Sequence, residues 1–193
     1  MAHNTLALDL FLIGSSAILL GIYILFSSLK KKFSRETNKS FGILFLLAGF
    51  LALILTFEMF LFEPIPHQYI EIYGTMLAIF SLISLSGGLA IYLNSDLRPV
   101  SYLGGLGAIL SFKSANSVLA FNLSKSPVST AAIFILAGLS GLFTIVFSHL
   151  SNQKSKFWFS LVFSIVLFAL GVLCMYTSAS ALFGHVASAI APK

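Results

Sequence analysis

The chain of 193 residues is 58% hydrophobic and 9% charged, with a mean hydropathy of +1.01, whereas a soluble domain carries about 25% charged residues. This composition excludes a water-soluble enzyme or a nucleic-acid-binding domain, and the net charge of +5 reads as loop charge at a membrane surface rather than as an affinity for nucleic acid. A membrane helix takes roughly 20 apolar residues, so six such spans use most of the chain and leave one transmembrane domain over residues 1–193.

The first expected span runs from Leu6 to Ser28. No basic residue precedes it, and Lys30, Lys31, Lys32, Arg35 and Lys39 follow it, an order opposite to that of a cleaved secretory signal. Lys and Arg in short loops are retained on the cytoplasmic side, which places the N-terminus outside. The second span, Phe41 to Phe62, ends before Glu63-Pro-Ile-Pro-His67, where two prolines stop a helix. The third runs from Ile72 to Leu93, and a polar turn from Asn94 to Pro99 leads to the fourth, Ser101 to Leu123. The fourth is the most polar, with Lys113, Ser114, Asn116 and Ser117 near its middle, as expected of a helix facing the bundle interior or of a re-entrant segment. Lys154 and Lys156 lie in the loop between the fifth span, Thr130 to Leu150, and the sixth, Phe157 to Ser180. Threading the spans from an outer N-terminus puts the lysine-rich loop, Arg98, Lys154 and Lys156 inside and Lys125 and Lys193 outside. The expected fold is therefore all-α, an integral membrane bundle of six transmembrane helices with the N-terminus and C-terminus both extracytoplasmic, in the cell membrane.

Two further patterns concern packing. Leu46 to Leu53 in the second span can be laid over Ile135 to Leu142 in the fifth, the pattern of a three-plus-three inverted repeat. Ala48 and Ala52, Ser84 and Gly88, Gly104 and Ala108, and Ala137 and Gly141 are small residues four apart, which let helix backbones approach closely, within one chain or between subunits.

Ionisable groups inside a span are the strongest functional pointers, because a charge at the helix centre costs about 2.5 to 3.5 kcal/mol on the mildest insertion scale. Asp9, Glu58 and Lys113 qualify, all in the outer half. An ion pair of Lys113 with Glu58 or Asp9 would remove the cost and, with Asn116, form a polar path or a buried ion pair. In the outer loop His67 stands among Glu63, Gln68, Tyr69, Glu71 and Tyr73, and His3 and His185 fall on the same face. Three imidazoles suit copper or zinc, but their spacing matches no compact metal signature and interfacial histidines need no metal, so no cofactor is expected. No glycine-rich phosphate loop, Ser/His/Asp set or Glu-x-x-His helix motif is present, which disfavours an enzyme.

At Tyr69-Ile-Glu-Ile-Tyr-Gly-Thr75, followed by an apolar span, and at Leu97-Arg-Pro-Val-Ser-Tyr102, opening the next, the chain resembles a family of small archaeal and bacterial polytopic membrane proteins catalogued as a domain of unknown function (981). The resemblance implies an integral membrane fold and carries no activity or ligand. The succinate and acetate permeases have the same size and number of spans, but their defining Asn-Pro-Ala-Pro motif is missing here. Two functional classes follow. The first is a channel or transporter for a proton, small ion or small solute. The second is a non-catalytic accessory subunit of a larger membrane complex. The partners expected are the lipid bilayer and either further copies of the chain or other membrane subunits.

Overall fold

The polypeptide forms α1 (Ala2–Ser28), α2 (Arg35–Phe62), α3 (His67–Leu93), α4 (Arg98–Phe121), α5 (Pro127–His149) and α6 (Gln153–Ile190). The computed structural model describes residues 2–29, 33–63 and 67–190, with side chains for all of these except 2–4, 68 and 184–190. Lys30, Lys31, Lys32 and the two prolines Pro64 and Pro66 lie outside the described residues.

The helices outrun their apolar stretches because polar caps, not the edge of the hydrocarbon, end them. Ser34 accepts a hydrogen bond from the Thr37 N–H at 3.1 Å, so α2 begins at Arg35, well before Phe41. Proline occupies the first turn of α4 and α5, where its missing N–H costs nothing. Asn94 and Asn122 close α3 and α4 in the left-handed conformation that asparagine tolerates better than most residues. Among the described residues, five helices are long and apolar enough to cross a membrane. The remaining one, α4, is a continuous helix of 24 residues, about 36 Å at the standard rise, and is not broken into a re-entrant pair.

Three helix pairs pack tightly, α2 with α3, α4 with α5 and α1 with α6, while the looser contacts α1·α2, α3·α4 and α5·α6 join the pairs. The six helices thus close into a ring of three antiparallel pairs. The repeat in this architecture is the pair, used three times, and not the inverted three-helix repeat expected from matching α2 with α5.

Each tight seam is lined by small residues spaced seven apart. In α1 they are Ala7, Gly14, Gly21 and Ser28, and in α6 they are Ser164, Gly171 and Ser178. A methyl group on Gly14 would lie 2.9 Å from the Gly171 carbonyl oxygen, and one on Gly171 would lie 2.8 Å from that of Gly14. Ser164 donates to the Gly21 carbonyl at 2.9 Å and Ser160 to Ser28 Oγ at 2.6 Å. The same device recurs in α2 and α3, where Gly42 faces Gly88 and Gly49 faces Ser81, and in α4 and α5, where Gly104 faces Gly141. A seven-residue period keeps a seam in register along a left-handed supercoil. Interhelical hydrogen bonds in membranes average about 0.6 kcal/mol each, so close backbone packing rather than hydrogen bonding holds these pairs.

The small-residue faces are therefore used inside the chain. Ala52 is fully buried, Ala108 is 1% exposed, and Gly104 and Gly141 meet each other, which removes these two glycines as a docking face for other subunits. The outer surface carries Leu47, Phe50, Phe57, Leu106, Ile109 and Val172, all exposed, as a lipid-facing surface requires. The protein is an integral membrane protein whose apolar exterior contacts the lipid bilayer.

Candidate functional site

The ring encloses a cavity of about 460 Å³, within the range of small-molecule sites. It runs beside Ile13 to Ile24 of α1, Met76 to Ile91 of α3, Arg98 to Ser111 of α4, Ala137 to Ser148 of α5 and Lys156 to Leu170 of α6. Along α1 this is about 17 Å at the standard rise, a little over half of the hydrocarbon thickness. The cavity reaches the loops at one end, where Asp96, Arg98 and Lys156 stand at its mouth. Arg35, Lys39 and Lys154 belong to the same end, the basic end of the bundle.

Among the described residues, the lining inside the mouth has no ionisable group except the Tyr23 phenol. Its polar groups are hydroxyls of Ser16, Ser84, Ser101, Ser111, Ser140, Thr144 and Ser148. Ser111 donates to the Gly107 carbonyl at 2.9 Å, Ser140 to Leu136 at 2.8 Å and Thr144 to Gly141 at 2.6 Å. A hydroxyl whose proton is engaged by its own helix keeps only acceptor lone pairs for anything else. These three hydroxyls thus present acceptors on an apolar wall, while Ser16, Ser84 and the Tyr23 phenol can donate as well as accept.

Beyond the far end of the cavity the side chains pack together. Ala52, Leu55, Met59 and Leu77 form one buried cluster and Ala115, Val118, Ala131 and Phe134 another, and Tyr73 packs against both. Its ring lies 5.7 Å from that of Phe134 and its hydroxyl donates to the Leu123 carbonyl at 3.2 Å. Tyr73 therefore spans the ring from the α1–α2 side to the α4–α5 side.

Asp9 and Glu58 are brought together beside these clusters. Asp9 lies one helical turn, about 6 Å, beyond Ile13 on the stripe of α1 that lines the cavity. It is 4% exposed, and its Oδ1 has no hydrogen-bond partner. Thr5, one turn further along, donates to Glu58 Oε1 at 3.3 Å, and Glu58 is the charged neighbour of Asp9. Lys113 and Asn116 are not part of this group. Both are exposed, and Lys113 lines a separate outer groove between α3 and α4 with Glu71, Thr75, Ser114 and Ser117. Among the described residues no salt bridge joins Lys113 to Glu58 or Asp9; the recorded pairs are His67 with Glu63 and with Glu71, each at 3.5 Å. The reason is angular, because α3 intervenes between α2 and α4 in the ring and the buried stripe of α4 is Ser101, Gly104, Ala108, Ser111 and Ala115, one face away from Lys113.

His67 lies between Glu63 and Glu71 on the surface. Among the described residues no three His, Cys, Asp or Glu side chains converge on a metal position, and the side chains of His3 and His185 lie outside them. In the sequence Ser84 stands out only as a packing residue and Tyr73 only in an outer loop, whereas Tyr73 lies within α3; the other lumen hydroxyls are not singled out, although serines on the buried faces of apolar spans are the signal that marks such a lining.

A family model described as "Protein of unknown function (DUF981)" matches residues 1–188. The chain belongs to this family. No curated protein matches it. Two solved structures share the architecture. The cryo-EM structure of the Helicobacter pylori urea channel in the closed state superposes with a TM-score of 0.63 at 17% identity, over 90% of this chain and 98% of that one. The crystal structure of the urea channel from the same human gastric pathogen gives 0.60 at 18% identity, over 87% and 96%. The six-helix bundle of this family member thus shares the fold of those channels.

Proposed function

We propose that this protein is a channel of the cell membrane for a small uncharged solute that carries hydrogen-bond donors, such as an amide, and that the central lumen is its path. The observation that carries this reading is the lumen itself, an apolar cavity within the helix ring, lined with hydroxyl groups and, among the described residues, charged only at its mouth. An ion would leave its hydration shell there without a compensating charge, which an apolar wall makes costly. A neutral N–H or O–H donor would exchange water for serine and threonine oxygens at little cost. The fold shared with the urea channel structures supports the same class of permeant. In this reading the basic end faces the cytoplasm, both termini lie outside, and Tyr73 closes the outer end of the path.

The test is solute-driven volume change of liposomes containing the purified chain, followed by light scattering. Acetamide or urea should cross faster than in empty liposomes, while potassium and chloride should not. Equal rates with and without the protein would refute the reading.

A further inference from the structure

Asp9 and Glu58 form a pair of carboxylates inside a membrane protein, and the structure supplies no cation for them among its described residues. Lys113, the basic side chain that the sequence places within a span in their half of the bundle, lies in the outer groove between α3 and α4. Among the described residues no salt bridge reaches either carboxylate, and the titratable groups that the neighbouring helices bring to this end of the lumen are not cations. From α2 comes Glu58, from α3 the Tyr73 phenol, already bonded to Leu123, and from α6 the buried thiol of Cys174, packed against Gly14. Asp9 is 4% exposed with an unpartnered Oδ1, and a buried carboxylate oxygen without a donor is a strongly unfavourable arrangement unless a positive charge sits on it. Thr5 adds a hydroxyl on the same face of α1, hydrogen-bonded to Glu58 at 3.3 Å.

We infer that Asp9, Glu58 and Thr5 form a binding site for one monovalent cation, a proton or a sodium ion, at the outer end of the lumen. The two carboxylates supply the charge, and the oxygens of Asp9, Glu58 and Thr5 supply hard ligands of the kind that suit an alkali ion as well as a proton. The position continues the α1 stripe of Ile13, Ser16 and Leu20 that lines the cavity, so the bound cation would stand where the path meets the packed clusters around Tyr73.

The experiment uses the full purified chain in mild detergent and two readouts that need no solute flux, so its outcome is separate from that of the liposome assay. Equilibrium binding of radioactive sodium and the infrared carbonyl band of a protonated carboxylic acid are measured on the wild type, Asp9→Asn and Glu58→Gln. One sodium bound per chain, lost in both variants, supports the site with sodium as occupant. Absence of bound sodium together with a carboxylic-acid band that disappears in Asp9→Asn and shifts in Glu58→Gln supports it with a proton as occupant. A wild type with neither signal, or signals unchanged in both variants, overturns the proposal. Should Asp9→Asn fail to fold, Thr5→Val takes its place, with weakened sodium binding or a shifted band as the expected result and an unaltered signal as the refuting one.

Discussion

Ser178 donates a hydrogen bond of 2.6 Å to the main-chain oxygen of Ala7, and with it α6 takes the place beside α1 that closes the ring. The bond sits in the same small-residue seam as Gly14 and Gly171, so the enclosure of the lumen depends on how near those two backbones can come. Gly171→Leu should therefore destabilise the protein by about 1 to 3 kcal/mol or more, the usual cost of overpacking, because even a methyl group there would lie 2.8 Å from the Gly14 carbonyl oxygen. Gly87→Ala is the control, since the new Cβ would meet Val100 Cγ1 at an ordinary 3.5 Å. Thermal unfolding in detergent should separate the two variants clearly.

Ser84 lines the lumen and is 7% exposed. Ser84→Leu puts a bulky apolar group where a permeant would pass, and flux in liposomes should fall to the level of empty vesicles while the particle keeps its helicity and elution volume. Undiminished flux would place the path elsewhere.

Tyr73 bridges the two buried clusters beyond the lumen. Tyr73→Ala should raise solute flux and lower stability by less than the roughly 3 kcal/mol that marks the low end for a fully buried aromatic, because Tyr73 is only partly buried. A variant that is destabilised but no faster would mean that another element closes the outer end.

Lys113 lies in the outer groove, away from the lumen and from the carboxylate pair. Lys113→Gln should leave flux unchanged, whereas Glu58→Gln should reduce it. Equal loss in both would restore the lysine to the path.

The only cysteine, Cys174, is fully buried, so a Cys174→Ser background suits single-cysteine labelling. A cysteine in place of Lys125 should react with a membrane-impermeant maleimide applied to intact cells, and one in place of Lys154 only after the cells are opened. The reverse pattern would invert the topology.

The number of helices and their membrane character could be read from six apolar runs, because burial in lipid demands such runs whatever the function. The family could also be read, from Tyr69 to Thr75 and Leu97 to Tyr102. Pairing was harder. Ala7, Gly14, Gly21 and Ser28 are visible as a seven-residue pattern, but nothing local tells α1 that its partner is α6 rather than α2. Lys113 illustrates the other limit. Depth in the membrane follows from counting residues, whereas the direction of a side chain depends on how each helix is rotated in the ring, and that rotation separates Lys113 from the two carboxylates it could have neutralised. The lumen was hidden for a similar reason, since Ser84, Ser111 and Ser140 come from three different spans and converge only after assembly.

The seam between α1 and α6 also bears on the order in which the protein is made. The pairs α2 with α3 and α4 with α5 are joined by short connections and can associate as soon as they emerge from the ribosome. The first helix has no tight partner next to it in sequence, since its closely packed neighbour is α6. Until α6 is in place, α1 has only its looser contacts with α2, and its glycine stripe faces lipid instead of a partner backbone.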